Sequence, residues 1–175
     1  MRARGNSEPV AVLGLSYGAV ACLIAAAESR EIAAVISDGA FPTGKGLSED
    51  ISGHFLHDSK TNFLVRVVFL LSSVPGAARA TALVYYVRSG IYLGPQLLSV
   101  IPYASRIRVP VLLISGGDDW IVPTERTRQI LSAIPSDKKE LVVIPGAHHD
   151  TTYSTAPELY SDKVLKFLDR AVKSN

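Results

Sequence analysis

The stretch VAVLGLSYGAVACLIAAA, residues 10–27, decides how this chain is read. It runs for 18 residues without a charge, and MRAR opens the chain before it. Three readings compete. It is the apolar heart of a secretory signal, or a membrane span, or a buried strand that turns sharply at Ser16 into a buried helix. Asn6, Ser7, Glu8 and Pro9 separate the basic start from the apolar run, which argues against a signal. A membrane span would hold Gly14, Ser16, Tyr17 and Gly18 for no evident reason. Strand, turn and helix account for all four.

The rest of the chain repeats that pattern. Apolar runs of strand length stand at residues 10–14, 32–37, 109–115 and 140–144. A helical stretch runs from beyond Gly18 to about Glu28, and others cover residues 124–134 and 157–172. Thr124 with Glu125, and Pro157 with Glu158, suit first turns of helices. Apolar strands alternating with helices predict an α/β fold, a parallel sheet with helices on both faces. Ligands of such sheets bind at the carboxyl ends of the strands. Ser16, Asp38, Asp118, Asp119, His148 and His149 all fall there.

Between Phe41 and Ile107 the alternation stops. Residues 62–71, 77–91 and 96–103 read as helices with no strand between them, hence a helical cap at about 41–107. The cap is inserted into a single domain, 1–175, whose core is 1–40 and 108–175. Arg66 and Arg88 interrupt its apolar runs, so none reaches spanning length and a membrane partner is not expected. A net charge of +2 is too small to argue for nucleic acid. The one cysteine, Cys22, excludes an internal disulfide and suits a cytoplasmic location.

GLSYG, residues 14–18, fits the nucleophile elbow G-x-S-x-G, in which a strained strand-to-helix turn exposes a serine hydroxyl. Glycines two positions to either side avoid collisions at such a turn. The N–H of Tyr17, at the start of the helix, is placed to face a developing oxyanion. A serine nucleophile needs a base, and the base an orienting acid. GGDDWIVP (116–123) supplies acids after the third strand, and PGAHHD (145–150) supplies histidines after the fourth.

In the elbow, the order Ser, Asp, His and these two loops, the chain resembles the C-terminal portion of an α/β-hydrolase-fold serine hydrolase. The likeness is to the esterase and prolyl-oligopeptidase-like branch. It implies Ser16 as nucleophile, Asp119 as acid and His149 as base, by matching G-x-x-D-x-x-V-P and G-x-x-H onto this sequence. Asp118 and His148 remain the competitors, and Asp38 is the alternative acid or the cap of a turn. It implies an ester or related acyl substrate, an acyl-enzyme and no cofactor. Trp120 and Tyr17 are candidates for the pocket mouth. His54 and His57 in GHFLHD have the spacing of a metal pair, but no ligand cluster stands beside them, and solvated cap histidines are expected.

Relatives of this kind carry several strands before the elbow, and only nine residues precede Val10. The loop that donates a second oxyanion N–H is therefore not in this sequence. Strand 10–14 is expected to show an open apolar edge, a surface for a second copy of the chain or for a partner. The rival expectation is a non-catalytic or truncated hydrolase-like protein, an assembly or binding subunit that keeps the triad residue types.

Overall fold

Four short apolar runs build the sheet, the inner two buried almost throughout. The computed structural model describes residues 10–57 and 99–173. Strands β1 (Val10–Leu15), β2 (Ile32–Asp38), β3 (Val111–Gly116) and β4 (Lys139–Ile144) pair in that order, all parallel. Val35, Val111 and Leu113 face one side and pack with Leu23 and Ile130. Their neighbours Ile36, Leu112 and Ile114 face the other side and pack with Phe167 and Ala171. Every residue of β3 is buried because both faces are covered, as befits a strand inside a parallel sheet.

The helices are α1 (Tyr17–Glu28), α2 (Gly44–His57), α3 (Ile101–Ala104), α4 (Thr124–Ala133), α5 (Thr152–Thr155) and α6 (Pro157–Lys173). Helices α1, α3 and α4 bury residues on the first face, and α6 covers the second. The α/β fold expected from the sequence is therefore present. Among the described residues β1 pairs only with β2, so it is an edge strand. Leu13 and Leu15 stand 51% and 43% exposed there, although Leu13 lies in register with the buried Ile36.

The sequence reading needs correction at three places. Helix α2 was not anticipated, because residues 44–57 carry glycines and few apolar side chains in a helical stripe. Helix α1 begins at Tyr17, the helix start expected for its N–H, and so ahead of the stretch read from beyond Gly18. The helix expected over 96–103 is not continuous, since Ser99 bridges Thr43 and the Val100 N–H donates to Pro42 O at 2.9 Å. Only the short α3 follows, with Pro102 in its first turn. The helices expected at 62–71 and 77–91 lie outside the described residues, as does the side chain of His57.

Candidate active site

Ser16 sits between β1 and α1 in a conformation that L-residues rarely adopt, with φ 55° and ψ −118°. Such a backbone costs on the order of 1–3 kcal/mol and persists only where its surroundings hold it. Two features do so. The Ser16 N–H donates to Asp38 O at 2.8 Å, and Ser16 O accepts from the Val20 N–H at 3.1 Å. The turn also needs Gly14, where an added Cβ would lie 2.3 Å from Gly18 O. Gly18 is different: a Cβ there meets no described atom within 4 Å. The expectation that both glycines relieve collisions holds for Gly14 only.

The acid and histidine loops are stitched together by the backbone. Asp118 N donates to Ala147 O at 2.9 Å, and Gly117 N to Ile144 O at 2.8 Å. Gly116 allows this approach, since a Cβ there would stand 2.4 Å from Ala147 O. Asp119 is almost fully buried. Its Oδ1 accepts the Ile121 and Val122 N–H groups at 2.9 and 2.8 Å, which fixes the carboxylate and leaves Oδ2 for another partner. That partner is His149 Nδ1, at 2.8 Å. With the Nδ1 proton committed to Asp119, Nε2 is left as the acceptor, and it lies 2.9 Å from Ser16 Oγ.

The hydrogen bond to Asp119 holds the His149 imidazole above its ordinary range, opposed by burial and helped by the charges of Asp119, Asp150 and Asp38. His148 turns away: its Nδ1 meets Asp118 O at 3.0 Å on an exposed surface. The structure thus brings Ser16, His149 and Asp119 into one chain of hydrogen bonds, and leaves His148 and Asp118 beside it. Tyr17 opens α1, so its N–H has no acceptor inside the helix. Its ring is largely exposed and meets Phe41 edge-on at 4.9 Å.

Solved structures share this arrangement of strands and helices. An esterase of Pyrococcus furiosus superposes with a TM-score of 0.67 at 23% identity, over 95% of this chain and 55% of its own. A proline iminopeptidase of Mycobacterium smegmatis superposes with a TM-score of 0.67 at 18% identity, over 95% of this chain and 67% of its own. The chain has the α/β-hydrolase fold. Within this hydrolase fold, a family model described as serine aminopeptidase, S33, matches residues 96–155, the stretch that contains Asp119 and His149. A Mycoplasma genitalium protein named for esterase or lipase activity is 41% identical over 64 residues, 37% of this chain and 23% of that protein. The hydrolase-fold chain thus spans about a quarter to two thirds of the length of these relatives.

Several contacts around this hydrolase-fold site are not legible in the sequence. Asp38, read as an alternative acid or a turn cap, is neither hydrogen-bonded to His149 nor exposed at a turn. It is 2% exposed, and its Oδ2 accepts from Thr152 Oγ1 at 2.5 Å. Gly39 (φ 66°) lies against the imidazole. Trp120, a candidate for substrate contact, stacks on His54 of α2 with ring centroids 3.9 Å apart. His54 is therefore not simply solvated, and one face of Trp120 is engaged in packing. Arg126 of α4 grips Asp50 of α2 through two hydrogen bonds, 2.7 and 2.9 Å long. No sequence motif announces these contacts, because they join segments 66 to 114 residues apart. Among the described residues no cluster of His, Cys, Asp and Glu could hold a metal ion, and no helix is long and apolar enough to cross a membrane.

Proposed function

We propose that this protein is a serine hydrolase that cleaves a carboxylic ester or related acyl substrate through an acyl-enzyme. One observation carries the reading: His149 Nε2 is 2.9 Å from Ser16 Oγ while its Nδ1 is held by Asp119. In this reading Ser16 Oγ attacks the acyl carbon as Nε2 takes its proton. The imidazolium, stabilised by Asp119, then returns that proton to the leaving group. Water attacks the acyl-enzyme by the same route and frees Ser16. The Tyr17 N–H donates to the oxyanion in both tetrahedral intermediates. Tyr17 and Trp120 are the candidates for contact with the substrate.

Names among the relatives include esterase, lipase and proline iminopeptidase, which supports acyl transfer as the class and leaves ester and amide bonds to be compared. The test is labelling of purified protein with a fluorophosphonate, beside Ser16→Ala, followed by turnover of p-nitrophenyl esters and of proline p-nitroanilide. Labelling is expected in the parent and absent from the variant. A folded parent that takes no label at Ser16 would overturn the proposal.

A further inference from the structure

Asp38 is a buried carboxylate that the proposed reaction does not use. It ends β2, beside the carboxyl ends of β1 and β3. Its backbone carbonyl accepts the Ser16 N–H at 2.8 Å and so holds the strained turn. Its side chain accepts the Thr152 hydroxyl at 2.5 Å. Thr152 opens α5 three residues after His149, in a loop already closed by the His148 N–H on Thr151 Oγ1 at 2.8 Å. The next residue, Gly39, packs on the imidazole itself, where a Cβ would meet Cε1 at 3.2 Å. The other Asp38 oxygen, Oδ1, is buried with no partner in good hydrogen-bond geometry, and the Tyr160 hydroxyl faces the same carboxyl.

A carboxylate buried this deeply is costly to desolvate, and nothing in the packing of the sheet calls for it. An apolar residue would fill the end of β2 as Val35 and Ile36 fill its middle. What the carboxylate supplies is a further tie between two loops that also meet at the Ser16–His149 hydrogen bond and at the contact of Gly39 with the imidazole. We propose that Asp38 is a positioning residue: its carbonyl fixes the Ser16 turn and its carboxylate, through Thr152, fixes the His149 loop, so one residue sets the distance between serine and imidazole.

The inference rests on the proposed reaction for its kinetic consequence but not for its structural one. The groups facing Asp38 are Thr152 of α5, Tyr160 of α6, His149, and Asp119 at longer range. Burial raises the Asp38 carboxyl above its usual range, while Thr152 and Tyr160 oppose that rise. The Asp38 charge acts on His149 in the direction that favours the imidazolium.

Three variants separate the tie from the charge. Asp38→Asn keeps an oxygen for Thr152 and removes the charge. Thr152→Val keeps the shape and removes the hydroxyl, and Thr152→Ser restores the hydroxyl. Imidazole NMR should show the His149 midpoint lower in Asp38→Asn than in the parent. The low-field Nδ1 proton of His149 should exchange faster in Thr152→Val, and return to parent behaviour in Thr152→Ser. Where the parent labels with a fluorophosphonate, Thr152→Val should lose about tenfold in kcat with KM within about twofold, and Thr152→Ser should recover it. A His149 spectrum and titration unchanged in both Asp38→Asn and Thr152→Val overturn the inference. So does a Thr152→Ser variant as impaired as Thr152→Val. A parent that fails to label overturns the proposed reaction instead, and the NMR arm still decides the role of Asp38.

Discussion

The imidazole of His149 rests against the backbone of Gly39: a Cβ on Gly39 would stand 3.2 Å from Cε1 and 3.5 Å from Nδ1. Gly39 also has φ 66°, a conformation that costs an L-residue roughly 1–2 kcal/mol. Gly39→Ala is therefore expected to lower stability by about that amount and to push the ring off Ser16. Thermal unfolding gives the first effect. The rate of fluorophosphonate labelling gives the second, with a loss of at least about tenfold. A parent-like labelling rate would show that the ring keeps its place without this contact.

The two glycines of the GLSYG turn should respond in opposite ways. Gly14→Ala drives a methyl into Gly18 O at 2.3 Å, backbone against backbone, and is expected to cost more than about 2 kcal/mol. Gly18→Ala meets no described neighbour and lies in the first turn of α1. It should be neutral or gain up to about 1 kcal/mol from helix propensity. Urea unfolding of the two variants, side by side, checks the contrast.

Asp119 raises His149 chiefly by hydrogen bonding, so the imidazole deprotonates above the usual 6.5. In the proposed reaction the neutral imidazole is the base, so the acid limb of the pH–rate profile should fall on the alkaline side of that value. Asp119→Asn removes the largest cause, moving the limb to lower pH and lowering the plateau about 10⁴-fold. The sign for stability follows from the same shift. A pKa raised by folding contributes stability that is fully present below 6.5 and lost as pH rises through the folded-state value. Denaturant midpoints of parent and Asp119→Asn should converge on the alkaline side.

Asp38 is displaced upward too, by burial first, from 3.8. Folding favours its protonated form, so the stability it contributes is present below 3.8 and lost as pH rises through the raised value. Relative to Asp38→Asn, the parent should lose ground as pH rises above 3.8. Urea midpoints at three pH values across that window measure it, and a pH-independent gap would refute the burial argument.

Asp50 and Arg126 form a two-point ion pair whose side chains are only 18% and 25% exposed. With the His54–Trp120 stack it fastens α2 over the loop that carries Asp119. Asp50→Ala is expected to cost roughly 1–2 kcal/mol, between the values for exposed and fully buried pairs. Arg126→Lys should fall short of the parent because an ammonium cannot reproduce the fork. Hydrogen exchange in residues 44–57 is expected to speed up in both.

The sequence by itself determined the alternation of strand and helix, the turn at Ser16, and the clustering of Ser, Asp and His at strand ends. These are local matters. Apolar runs set by period, Gly14 beside a serine, and turn residues after each strand are written in consecutive positions. It also favoured Asp119 over Asp118 and His149 over His148, though only from motif spacing. Tertiary structure decided the distances, because the 2.9 Å between Ser16 and His149 depends on parallel register across 133 residues of chain. It alone placed Thr152 on Asp38, Gly39 on the imidazole and His54 on Trp120. Helix α2 was illegible for a related reason. Its described ties include a partly buried ion pair and a ring stack, contacts with segments far along the chain that leave no periodic trace in the helix itself.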